Sequence, residues 1–258
     1  MTGICKLCKK STLLQESHFI PRAMYTYIRH PNATGKNRNP LNVTTMATTH
    51  TQKQIKEYVF CSDCEGLFDK NGENSTLRLV WNGNRFPLGE KLSLGLAHSQ
   101  FGSIVAFSGK AMGINTDALG YFALSVIWRG AVHQWNLPSG KKSVLLNLGA
   151  AEDTIRDYLR GNTPFPIDVV VLAAACTDTP SQRIFHLPSQ TSNPLFASFN
   201  LLTLGIQFWV FAGSGIPPLL REQCCVRSVA NLIFQLDCSA KTLETYKQIV
   251  SKRPITPI

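Results

Sequence analysis

A chain of 258 residues with 44% hydrophobic and only 16% charged residues has ample apolar side chain to bury, which excludes a disordered protein and leaves room for unequal domains. Its 26 Lys and Arg against 16 Asp and Glu give a formal charge of +10, a balance that attracts a polyanion by counterion release and long-range steering. Nucleic acid is the leading candidate, beside the plainer reading of a protein that is merely basic.

The N-terminus, MTGICKLCKK, has no apolar stretch of the kind a secretory signal requires, so a cytoplasmic chain is expected. Cys5 and Cys8 form one Cys-x-x-Cys pair, and Cys61 and Cys64 form a second. Zn²⁺ takes four soft or borderline ligands in a tetrahedron, and this spacing lets each pair turn both thiolates inward from a tight knuckle. One structural zinc on the four cysteines is expected; a disulfide pair or two redox motifs are the alternatives. Between the knuckles lie LLQESHFIPRAMY and then NATGKNRNPLNVTTMATTHT, which reads as a long loop because it shows little apolar periodicity.

After Ser75 the composition changes, and residues 76–258 read as a larger mixed α+β domain. LSLGLAHSQFGSIVAFSG suggests strands, DALGYFALSVIWRGAVHQW a core-facing helix, and GAAEDTIRDYLRG a short amphipathic helix ended by Gly161. IDVVVLAAAC and RIFHL read as strands. The uncharged run from Ile184 to Leu220 approaches membrane-spanning length, but Asn200, Thr203 and Gln207 interrupt it. The alternation of Leu204, Ile206, Phe208 and Val210 fits a buried strand, and no membrane partner is expected. SAKTLETYKQIVSKR predicts a last helix capped near Ser239 and stopped before Pro254. Cys176, Cys224, Cys225 and Cys238 lack ligand spacing and read as small buried residues.

The order Cys-x-x-Cys, SHFIPRAMY, a connecting segment and YVFCSDCE resembles the zinc-containing HNH endonucleases of the His-Me finger, or treble-clef, group, over residues 5–74. The resemblance implies an α+β chain in which a small zinc-stapled, treble-clef-like ββα module, residues 1–75, precedes the larger mixed domain. It makes His18 the general base that takes a proton from the attacking water, a task suited to an imidazole titrating near neutrality. It also implies Mg²⁺ or Mn²⁺ at the scissile phosphate. The family's ligand positions fall here on Ser17, a weak donor, and Glu65, a competent one.

The family's middle Asn is missing from its usual place, where THTQKQIKEY offers His50, Gln52 and Gln54. Glu73 would add a carboxylate if the helix continued, although Asn71-Gly72 reads as a helix end. Arg22, Lys9 and Lys10 are the expected phosphate contacts. Plainer roles stand beside these: a bracing histidine for His18, a favourable helix N-terminal charge for Glu65, a solvated side chain for Arg22.

His30, His98, His133 and His186 read as structural or surface residues. The segment VIWRGAVHQW reads as core, or else as a phosphate and base-stacking surface built from Arg129, His133 and the tryptophans. No phosphate-binding Gly-rich loop or nucleophile elbow is present. The expectation is a metal-dependent endonuclease acting on nucleic acid, DNA first, in microbial restriction or anti-phage defence, with residues 76–258 binding a partner protein, nucleic acid or signal. The rival expectation is a non-catalytic zinc-dependent module that binds nucleic acid or protein.

Overall fold

The computed structural model describes residues 1–29, 41–43, 48–82, 85–179, 181–237 and 255–256, a mixed α+β arrangement. Strand β1 (Thr2–Ile4) turns through the first cysteine pair into β2 (Ser11–His18). The turn is tight: Lys9 sits at φ 61°, its N–H donating to the carbonyl of Cys5 at 2.9 Å while Cys5 N–H donates to Lys10 at 3.0 Å. After Pro21 comes helix α1 (Arg22–Ile28), which buries Met24 and Tyr25. Strands β3 (Leu41–Val43) and β4 (Thr48–His50) form a hairpin inside the stretch expected to be a loop. Three-residue strands are too short to leave a readable period in sequence.

Strand β5 (Lys56–Cys61) closes a three-stranded sheet in the order β1-β2-β5, with Ser17 opposite Glu57 and His18 opposite Lys56. Its last residue leads directly into α2 (Ser62–Phe68). The helix does not end at Asn71-Gly72 as expected. It widens into a π-helical turn over Asp69–Glu73 and continues as α3 (Asn74–Val80), across residue 75. Gly72 is there for closeness: a Cβ on it would lie 2.9 Å from the backbone nitrogen of Phe122.

Helix α4 (Pro87–Ser93) opens on proline, whose fixed φ and missing N–H suit a first helical turn. It takes Leu92 and Ser93 out of the segment expected to be strand, which begins only at β6 (Ser99–Phe101) and β7 (Ile104–Ser108). Helix α5 (Thr116–Val132) is capped by Asn115, whose side chain accepts from Ala118 N–H at 3.0 Å. It is buried on nearly every side, as a helix through the middle of a domain must be. Helix α6 (Ala151–Leu159) buries Ile155 and Leu159, and Gly161 follows at φ 74°, where the chain turns off the helix.

Strands β8 (Val169–Cys176), β9 (Ser189–Ser192), β10 (Ala197–Thr203), β11 (Ile206–Ala212), the short α7 (Pro218–Glu222) and β12 (Leu232–Leu236) complete a seven-stranded sheet ordered β6-β7-β12-β8-β11-β10-β9. Only β12 and β8 run parallel within it. A last strand, β13 (Ile255–Thr256), pairs with β4.

The uncharged run is therefore largely hairpin: β10 and β11 join through Leu204 and Gly205, at φ 46° and 88°, the left-handed pair that a tight two-residue turn needs. RIFHL supplies only an isolated bridge, Phe185 to Thr203. Among the described residues no helix is long and apolar enough to cross a membrane. The helix expected at 239–253 lies outside the described residues, as do His30 and Cys238.

One core joins these parts. Phe19 stacks on Trp135 with centroids 5.2 Å apart, Phe60 meets Trp128 at 6.0 Å, and Phe122 meets Phe208 at 5.9 Å. Helix α5 is thus the floor of the small sheet and the cover of the large one.

Candidate functional site

Four cysteines converge where β1 turns and where β5 becomes α2. The sulfur atoms of Cys5, Cys8, Cys61 and Cys64 all lie within 4.8 Å of one another, and Cys8 and Cys61 are 3.9 Å apart. Tetrahedral zinc at about 2.3 Å from each sulfur separates neighbouring sulfurs by roughly 3.8 Å, so the quartet fits such an ion. Cys61 N–H also donates to Cys5 Sγ at 3.4 Å, the kind of contact that stabilises a thiolate.

The Cys5 thiol is pulled down to about 4, chiefly by the hydrogen bond with Cys64, against its burial. Cys64 is pushed up by the same partner and by burial: one thiol keeps the proton that the other gives up. These residues could hold a metal ion such as zinc, which would take the place of that proton.

His18 ends β2 beside the quartet's strand. Its Nε2 lies 2.7 Å from Oε1 of Gln54, one of the polar residues of the THTQKQIKEY segment. Ser17 is buried, and its hydroxyl accepts from Phe60 N–H at 3.1 Å, lies 3.4 Å from Gln15 O and also faces the Glu65 carboxyl. Glu65, in the first turn of α2, has an Oε1 that is buried with no hydrogen-bond partner. Burial pushes its carboxyl up, against the pull of Arg129, the Ser17 hydroxyl and His18, while Glu73 adds to the push.

The π turn brings Glu73 to the same place, further along the helical run, and its carboxylate pairs with Arg129 of α5. The Arg129 side chain is 1% exposed. Its Nη1 donates to the carbonyls of His18 and Phe19, both at 3.3 Å, and its guanidinium lies 4.2 Å from the centre of the Phe68 ring. His18, Ser17, Glu65, Glu73 and Arg129 therefore form one charged cluster under the end of β2. Among the described residues, however, only the cysteine quartet brings three or more Cys, His, Asp or Glu ligand atoms within 4.8 Å of one another.

The other expected residues lie at the surface. Lys9 and Lys10 are exposed on the first knuckle, and Arg22 is exposed at the start of α1. Lys56, by contrast, pairs with Glu16 at 2.6 Å. The tryptophans of VIWRGAVHQW are core: Trp128 donates to Glu152 O at 3.2 Å and Trp135 to Arg129 O at 3.1 Å. His133 lies 3.1 Å from the carboxylate of Glu57, supplied by β5.

Two contacts of His18 have little or no local signal. Gln54 is visible in sequence only as a polar substitute, and the link between Arg129 and His18 spans 111 positions. Compared with known proteins, the chain matches no family model, no curated protein and no solved structure.

Proposed function

We propose that the chain is a metal-dependent HNH-like endonuclease that hydrolyses phosphodiester bonds of nucleic acid, DNA first. On this reading the small sheet and α2 form a treble-clef-like ββα module stapled by Zn²⁺ on Cys5, Cys8, Cys61 and Cys64. The observation that carries the proposal is the buried, unpartnered Oε1 of Glu65 beside a histidine that ends a strand. An acceptor oxygen stripped of water costs roughly 1–3 kcal/mol or more when nothing is bound to it, so a cation there relieves a deficit. Mg²⁺ suits such a place because it keeps several waters and takes only one or two protein carboxylates, here Glu65 with Glu73 nearby.

A bound Mg²⁺ or Mn²⁺ supplies Lewis acidity at the scissile phosphate. The chain's residues do the rest. Gln54 accepts from Nε2 of His18, which leaves the lone pair on Nδ1 to take a proton from the attacking water. The exposed Lys9, Lys10 and Arg22 draw the polyanion towards this end of the molecule. The large sheet is proposed to bind a partner protein, nucleic acid or signal, in a cytoplasmic setting such as restriction or anti-phage defence.

The Glu73–Arg129 pair favours a second reading, in which an internal cation already serves the acids and the module binds nucleic acid or protein without cutting. Plasmid cleavage with Mg²⁺ or Mn²⁺ separates the two. Cleavage by the native chain that His18→Ala and Glu65→Gln abolish is the expected result; equal cleavage by the variants, or none by any chain across metals and substrates, would overturn the nuclease.

A further inference from the structure

We infer that Arg129 is the positioning residue of this site: from α5 it fixes the backbone of His18 and Phe19, so the module's histidine is aligned by a helix that lies outside the module. The geometry is unusual for a mere neutralising ion pair. Nη2 alone meets the Glu73 carboxylate, and Nη1 is turned instead to two consecutive main-chain carbonyls at 3.3 Å, with Phe68 as the floor.

Those carbonyls belong to the residues where β2 stops and the chain bends towards α1: the ladder with β5 ends at His18 opposite Lys56, and Phe19 N–H makes its last bond, to Ile55 O at 3.0 Å. The planar fork spans carboxylate and strand end at once, which a lysine's point charge cannot do. Its side chain is 1% exposed, so it acts on the reacting atoms through His18 rather than by touching substrate. Gly130 supports the same placement: a Cβ on it would lie 3.1 Å from the tip of Phe19, so α5 seats against the segment it holds.

The catalytic consequence rests on the nuclease reading; the positioning does not. The test adds Arg129→Met to Glu73→Gln, so that Glu73 is not left unpaired, with Arg129→Lys as the variant that keeps the cation facing Glu65. If Arg129 only neutralises Glu73, the added change alters nothing. Positioning predicts instead that the double variant keeps its metal content but loses about 100-fold in kcat relative to Glu73→Gln, with KM held, the scale of a small misplacement of a reacting group.

Hydrogen–deuterium exchange of the peptide from Ser17 to Tyr25 should rise in the double variant, while the Cys61–Phe68 peptide stays protected. Arg129→Lys in the same background, which preserves charge, should not restore kcat or protection. Unchanged exchange from Ser17 to Tyr25 overturns the inference whether or not the chain cuts nucleic acid. Raised exchange in a protein whose native form cuts nothing upholds the positioning and overturns only the nuclease.

Discussion

At the scale of single residues, Glu57 ties the small sheet to the end of α5 through His133, the backbone of Asn136 and Lys142. Burial pushes its carboxyl up, but the backbone N–H of Asn136, His133 at 3.1 Å and Lys142 at 3.7 Å outweigh that and hold it below the usual glutamate value. A carboxyl lowered in the fold binds fewer protons there than in the unfolded chain, so its contribution is complete above the unfolded value, about 4.3, and fades as pH falls through the folded one. Glu57→Gln should therefore cost about 1–2 kcal/mol at neutral pH, with the deficit closing in acid. Urea titrations of both proteins from neutral pH downward check this, and a deficit independent of pH would place the loss in packing. The cysteines make a simpler prediction. Cys61→Ser should lose the bound metal, measured by elemental analysis, whereas Cys176→Ser, on a buried strand far from the quartet in sequence, should keep it.

Among elements, the decisive one is the helical run that leaves the second knuckle. A π turn adds a residue to one turn of helix and rotates the residues beyond it, which is how Glu73 comes round to Arg129 while Gly72 meets α5. The side chain missing at Gly72 is what permits the contact. Gly72→Ala places a methyl 2.9 Å from the Phe122 backbone nitrogen and 2.9 Å from the Tyr121 ring, and backbone cannot step aside as a flexible side chain can. The expected cost is about 1–3 kcal/mol by chemical denaturation, even though alanine is the better helix former.

The same run misleads a reading from sequence for a physical reason: Asn-Gly commonly ends a helix, and only tertiary packing reveals that here it does not. The knuckles, α5, α6, β8 and β11 were legible because ligand spacing, apolar periodicity and strand alternation are local. The hairpin of β3 and β4, the single bridge left of RIFHL and the reach of Arg129 to His18 were not, since each depends on partners distant in the chain.

For the whole molecule, the question is whether the small sheet stands alone. Residues 1–75 hold the four cysteines and His18, and a zinc site can fold a small module outright. Yet Phe19, Phe60 and Phe68 are at most 2% exposed, and they are covered by Trp128 and Arg129 of α5 and by Trp135 just beyond its end. Uncovering each ring forfeits roughly 1.5–3 kcal/mol, and the three together approach the whole stability of an ordinary domain. A fragment ending at residue 82, which preserves the complete helical run, should therefore bind metal through its cysteines but leave the strand end unfixed. Its amide spectrum should be well dispersed for the knuckles and collapsed around Phe19, and it should bind a hydrophobic dye. A fragment with a fully dispersed spectrum would mean that zinc alone organises the site, and that α5 covers a module already complete.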